Sequence, residues 1–205
     1  MRIIMFDAKL RPIIDPPLNY CGRIIANTGI SANQITIAGA VFGVIAGFAI
    51  GSGHYFFGLG LVLLSRIFDG LDGAIARATK NTDFGGYLDI LCDFVFYLAV
   101  PIGFAFANSA NILPALLLIA SFTLTGISFL AFATLAAKNG IETEAHGTKS
   151  FFYNTGIAEG AETILVFVVM CLVPDRFALI AYVYAVVCIV TVIQRTMIAK
   201  REFGG

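Results

Sequence analysis

The sequence predicts an all-α fold: a polytopic membrane protein with six transmembrane helices and an N-terminal interfacial helix. Three observations carry this. Of the 205 residues, 59% are hydrophobic and only 13% charged, whereas a soluble domain is roughly half apolar and a quarter charged. The mean hydropathy is +0.89. The apolar residues also gather into runs close to the roughly 20 residues that a spanning helix needs.

The whole chain, 1–205, reads as one domain: an interfacial segment over 1–30 and a six-helix transmembrane domain over 31–205. Within 3–28, Ile3, Ile4, Met5, Leu10, Ile13 and Ile14 are mixed with charges and with the helix-breaking pair Pro16-Pro17. That composition suits a helix lying in the interface plane. Asp7, Lys9, Arg11 and Asp15 interrupt any apolar core there, so no signal peptide is expected.

Six spans follow, near 33–52, 55–78, 85–107, 112–137, 157–174 and 177–199. The first carries Gly39, Gly43, Gly47 and Gly51, all on one helical face. Such a stripe lets backbones approach closely where lipid gives no hydrophobic drive. Ser121, Thr125 and Ser128 form a polar stripe on the fourth span, read as interhelical hydrogen bonding. Pro174, Asp175 and Arg176 make a tight turn between the last two spans. Cys92, Cys171 and Cys188 lie in apolar runs and no C-x-x-C pair occurs, so they read as small buried hydrophobes.

Lysine and arginine set the orientation. Arg2, Lys9, Arg11 and Arg23 precede the first span, Arg77 and Lys80 follow the second, Lys138 and Lys149 bracket the loop after the fourth, and Lys200 and Arg201 follow the sixth. Of the alternate connections, those near 51–54 and 108–111 carry no lysine or arginine, and the third carries only Arg176. Both termini are therefore expected in the cytoplasm. Zero net charge and the absence of a basic stripe argue against nucleic acid.

The chemistry is concentrated in Asp69-Gly-Leu-Asp72-Gly73-Ala-Ile-Ala76-Arg77, followed by Gly85-Gly86-Tyr-Leu-Asp89-Ile-Leu-Cys-Asp93. Residues three, four and seven apart share a helical face. Asp69, Asp72, Gly73 and Ala76 thus line one face of the second span, and Asp89 and Asp93 one face of the third. The short connection makes the two helices antiparallel neighbours, so four carboxylates can converge roughly 10–15 Å inside the cytoplasmic boundary. An aspartate at such depth costs roughly 2.5–3.5 kcal/mol on insertion scales, and neighbouring carboxylates repel. Arg66 and Arg77 would leave two carboxylates over. Divalent cations resolve this, and oxygen-only ligands favour hard ions such as Mg²⁺ or Mn²⁺, or Ca²⁺. Gly73 and Ala76 leave a groove beside the acids, and Gly85 opens the third span where free backbone N–H groups favour phosphate.

These residues resemble the signature of the CDP-alcohol phosphotransferases, D-x-x-D-G-x-x-A-R then G-x-x-x-D-x-x-x-D, in its class I phosphatidyltransferase form. Asp69, Asp72, Gly73, Ala76, Arg77, Gly85, Asp89 and Asp93 match every fixed position. Seven residues separate Arg77 from Gly85 where the pattern usually has eight, a shortening placed in the loop. Ser31-Ala32-Asn33-Gln34-Ile35-Thr36 resembles the polar start of the first span in this family, where proline often takes the place of Ala32. The resemblance covers most of the chain and is strongest to a bacterial inner-membrane branch. It implies a transferase of phospholipid biosynthesis, in the cytoplasmic membrane, with its active site on the cytoplasmic side. The enzyme would pass a substituted phosphate from a CDP-linked lipid such as CDP-diacylglycerol to an acceptor alcohol and release CMP. Asp69, Asp72 and Asp89 would bind two metal ions, Mg²⁺ or Mn²⁺, with Asp93 counted both among the metal-site residues and as the general base. Gly73, Ala76, Arg77 and Gly85 would cradle the CDP moiety. The resemblance also implies a homodimer.

For the acceptor, Lys149, Glu159, Glu162 and Arg195 are candidate binding residues, with Lys138, His146 and Arg66 as further candidates; an interfacial ion-pair network is the alternative. A phosphorylated acceptor wants converging cations, whereas the glutamates suit an amino group. Glycerol 3-phosphate, inositol phosphate, serine, another amino alcohol and a second lipid all remain open. The rival function is a small cation transporter, since acids within spans mark ion paths. Transporters favour midplane sites in inverted repeats, and no second copy of the motif is present.

Overall fold

The structure is a computed structural model, and it describes residues 6–140, 158 and 160–204. Every regular element among the described residues is helical: α1 (Phe6–Ala26), α2 (Ala32–Gly51), α3 (Tyr55–Ala78), α4 (Asp83–Ala107), α5 (Ile112–Lys138), α6 (Gly160–Leu172) and α7 (Phe177–Phe203). Four helical stretches are long and apolar enough to cross a membrane: Ala32–Gly51, Asp83–Ala107, Ser109–Lys138 and Pro174–Phe203. The 24 residues of α3 also reach the required length, but Arg66, Asp69, Asp72 and Arg77 interrupt its apolar character. The 13 residues of α6 extend only about 20 Å at the helical rise, and of the span expected over 157–174 only residues 157 and 159 lie outside the described residues.

Local sequence explains the boundaries. Ser31 starts α2 through a capping box: its hydroxyl accepts from Gln34 N–H at 3.4 Å, and Gln34 Oε1 accepts from Ser31 N–H at 2.9 Å. The turn into α3 needs a left-handed residue, and Gly53 supplies it at φ +81°. Thr82 starts α4 by accepting from Gly85 N–H at 3.0 Å. Only residues 79–82 separate α3 from α4, which is where the shortened spacing falls. The helix α1 runs on through Pro12, Pro16 and Pro17, although the sequence reading took the last two as breakers.

The glycine stripe does what its spacing predicts. Gly39 faces Ser65 and Phe68 on α3, Gly43 faces Ser65 and Phe96, and Gly47 and Gly51 face Ala99 and Gly103 on α4. Both α3 and α4 pack closely on α2 while making only sparse backbone contact with each other. The two acid-bearing helices are thus less intimate neighbours than their short connection suggests, and a cleft opens between them. In the other half α5 packs against α7, and α6 rests on α3. Rings join the halves: Phe96 meets Phe167 edge-on at 5.6 Å, and Phe104 stacks on Phe177 at 4.4 Å.

A Cβ added at Gly47 would stand 2.5 Å from the Ala99 carbonyl oxygen. Gly47→Ala should therefore push α2 off α4 and lower stability by about 1–3 kcal/mol, read as an earlier melting transition in detergent. Gly60→Ala, where an added Cβ meets nothing within 4 Å, should not.

Candidate metal and substrate site

The cleft between α3 and α4 collects the acids. Asp69 from α3 and Asp89 and Asp93 from α4 each present a carboxylate oxygen, all within 4.8 Å of one another. Helical spacing accounts for the register: Asp89 and Asp93 are one turn apart, and Asp69 meets them across the cleft. The Asp69 and Asp93 side chains keep 37% and 31% of their surface exposed, so a ligand can reach them. Asp72 stands outside this group of three. It is buried, next to Thr36 of α2, and its Oδ2 has no hydrogen-bond partner. A buried unpaired carboxylate oxygen is costly, and beside three further carboxylates it is the feature that a cation removes. The donor set is all oxygen, so the residues fit Mg²⁺ or Mn²⁺.

Arg66 is the internal cation of the cleft. Its Nη1 donates to Asp93 Oδ1 at 2.6 Å and lies 3.5 Å from Asp69 Oδ1. The guanidinium lies over the Phe96 ring, with Cζ 3.8 Å from the centroid. Arg77 does not join the acids: its Nε and Nη2 donate to Asn19 Oδ1 on α1 at 3.3 and 2.9 Å.

The groove residues lie beside the acids. A Cβ at Gly73 would meet Arg77 Nη1 at 3.2 Å and nothing else within 4 Å, so this side of α3 is open. Ala76 is half-buried one turn on from Asp72. Gly85 faces Asn33 of α2, whose Oδ1 would lie 3.3 Å from an added Cβ. Its N–H is occupied by Thr82 at 3.0 Å, so the amide is not the free phosphate donor that the helix start suggested. An open recess of about 310 Å³ adjoins Arg77, lined by Asn19, Arg23, Ala74, Arg77 and Ala78. Asn19, Arg23, Asn33 and Thr36 escaped the functional-site reading of the sequence, because they sit on helices outside the motif; only the polar run 31–36 hinted at the last two.

The candidate acceptor residues divide. Lys149 and Glu159, like His146, lie outside the described residues. Glu162 opens α6 with a buried Oε2 that has no hydrogen-bond partner. Arg195 is buried on α7, and its Nη1 donates to Thr125 O and Ser128 Oγ, both at 2.9 Å. The hydroxyls of Ser121, Thr125 and Ser128 turn back to carbonyls of their own helix. Interhelical hydrogen bonding enters the stripe at Ser128, whose Oγ also accepts from Arg195 of α7.

The model of the CDP-alcohol phosphatidyltransferase family matches residues 29–194. The chain is 44% identical to the inner membrane protein YnjF of Escherichia coli, covering 93% of each. It is 30% identical to the phosphatidylinositol phosphate synthase of Mycobacteroides abscessus, covering 91% of this chain and 85% of that one. Identity to the archaetidylinositol phosphate synthase of Pyrococcus horikoshii is 29%, over 95% and 97%. Among solved structures, Mycobacterium tuberculosis phosphatidylinositol phosphate synthase with CDP-DAG bound matches with a TM-score of 0.71 at 21% identity, covering 88% and 92%. The same enzyme with manganese and citrate gives 0.64 at 22%, covering 88% and 87%. These two likenesses concern the fold.

The geometry generates a binding prediction. Asp69→Asn and Asp89→Asn keep shape but remove a charged oxygen, and should each weaken Mn²⁺ binding at least about tenfold, measured by calorimetry on purified protein. Helical circular dichroism should be unchanged. Wild-type Mn²⁺ affinity in both variants would remove them from the ligand set.

Proposed function

The chain belongs to the CDP-alcohol phosphatidyltransferase family, and from that premise we propose that it is a metal-dependent enzyme of phospholipid biosynthesis. It transfers the phosphatidyl group of a CDP-linked lipid such as CDP-diacylglycerol to an acceptor hydroxyl and releases CMP. The observation that carries this is the meeting of Asp69, Asp89 and Asp93 within 4.8 Å, beside the open flank of Gly73.

Asp69, Asp72 and Asp89 hold the divalent ions. Bound there, those ions supply the positive charge that offsets the diphosphate and the departing CMP. Gly73 and Ala76 leave space for the nucleotide, and Arg77, steadied by Asn19, offers its guanidinium to a phosphate. Arg66 fixes Asp93 Oδ1 and leaves Oδ2 to take the proton of the acceptor hydroxyl. The acceptor oxygen then bonds to the β-phosphorus as the bond from that phosphorus to the CMP oxygen breaks.

The acceptor on this reading is a phosphorylated polyol of the inositol phosphate kind. Two relatives, named as an archaetidylinositol phosphate synthase and a phosphatidylinositol phosphate synthase, support it, and the cations Arg195 and Lys149 supply the chemistry. The membrane arrangement also belongs to the proposal. Six spans form from α2, α3, α4, α5, α7 and α6 with the residues preceding it. The helix α1 lies in the interface, both termini and the cleft face the cytoplasm, and the protein works as a homodimer in a bacterial inner membrane. The lysine and arginine asymmetry supports the orientation.

Purified protein with CDP-diacylglycerol, Mn²⁺ and a panel of radiolabelled alcohols should release CMP with inositol phosphate; no CMP with any acceptor would sink the enzyme reading. Asp93→Asn should lower kcat by roughly 10²–10⁴ with little change in CDP-lipid affinity. Gly73→Leu should abolish CDP-lipid binding yet leave Mn²⁺ bound, in thermal-shift measurements. Cysteines introduced at 144 and 203 should react only with a cytoplasmic reagent, and one at 109 only with a periplasmic reagent. Labelling of 144 from outside would reverse the orientation.

A further inference from the structure

Arg66 lies three residues ahead of the acid motif, and the motif gives it no role. We infer that Arg66 is a positioning residue: it competes with divalent metal for the acid cluster and reserves Asp93 for proton abstraction instead of ligation. The inference rests on the reading of Asp93 as base.

One nitrogen does the sorting. Arg66 Nη1 lies 2.6 Å from Asp93 Oδ1 and 3.5 Å from Asp69 Oδ1, so a permanent cation stands between the two helices, within the group of carboxylates that would hold metal. Guanidinium does not deprotonate in proteins, so this charge is fixed.

The seat is built independently of the acids. Phe96, under the guanidinium plane at 3.8 Å, is fully buried and packed against Phe167. Arg66 Nη2 donates to Ser65 Oγ at 3.2 Å, and the buried Ser65 hydroxyl donates to Gly39 O at 2.8 Å. Only 11% of the Arg66 side chain is exposed. An arginine merely filling in for absent metal would need no aromatic floor and no hydroxyl strut. These contacts hold the guanidinium in place while the cleft loads. Four aspartates against one arginine leave ample negative charge for divalent ions, but the Asp93 oxygen already bonded to Arg66 is the least available to them.

The test measures metal binding apart from turnover. Arg66→Gln in the purified full-length chain should bind Mn²⁺ at least about tenfold more tightly, because a fixed like charge is removed, while kcat falls and KM for CDP-diacylglycerol moves little. Unchanged or weaker Mn²⁺ binding would overturn the inference, since a structural lesion loosens the site. Arg66→Lys keeps the charge and should retain wild-type Mn²⁺ affinity with reduced kcat; Mn²⁺ binding as tight as in Arg66→Gln would also count against it. In Arg66→Ala, millimolar guanidinium ion should restore turnover by occupying the place above Phe96; failure of rescue would mean the seat is not what positions Asp93. In an Asp93→Asn background, Arg66→Gln should cost no further kcat, and a full additive loss would show that Arg66 acts elsewhere. If Asp93→Asn alone keeps wild-type turnover, the base reading fails, and the Mn²⁺ titrations still decide whether Arg66 competes with metal.

Discussion

Like charges gathered at one point between helices do not stand together without cations, and this constraint organises the molecule. Asp69, Asp89 and Asp93 bring carboxylate oxygens within 4.8 Å of one another, and Asp72 adds a buried oxygen without a partner. In a low-dielectric surrounding their repulsion is large. Among the described residues Arg66 is the charge paired with these acids, and the remainder favours divalent metal.

Holding these carboxylates together needs a stiff frame. The helix α2 provides it by presenting glycines to α3 and α4 at once, so both lie against one backbone at close range. Because α3 and α4 pack on α2 more than on each other, the space between them stays open for ligands. The residues that shape the frame and the site are interleaved: Gly43 makes room for both Ser65 and Phe96, which are the strut and the floor of Arg66. A change that looks like packing on α2 therefore reaches the Asp93 carboxylate through Arg66 and its supports.

Around this centre the chain adds its particular features. The helix α1 closes on α3, with Gly22 against Ala74 and Asn19 holding Arg77, so the guanidinium of the motif is steadied by a helix outside it. In the other half Arg195 crosses from α7 to the Thr125 carbonyl and Ser128. The hydroxyl stripe on α5 thus takes part in the interhelical hydrogen bonding that its spacing suggested, with Arg195 as the donor.

The sequence by itself determined the helical class, the helix boundaries to within a few residues, the glycine face and the identity of the acids. All of these follow from local rules: apolar run length, capping and helical period. It also marked which side of each acid is open, because Gly73 and Ala76 are small wherever the helix lies. Only the tertiary structure decided how the charges pair. Arg66 and Arg77 look equivalent in the sequence, one just before and one just after the same acids. Folding sets Arg66 against Asp93 and Arg77 against Asn19, because the two share nearly one side of α3 but stand about three turns apart along it, beside different neighbours. Tertiary packing likewise separated Asp72 from the other three carboxylates and gave the Gly85 amide to Thr82. Spacing fixes a face, but the distance between two faces depends on the third helix that both of them pack against.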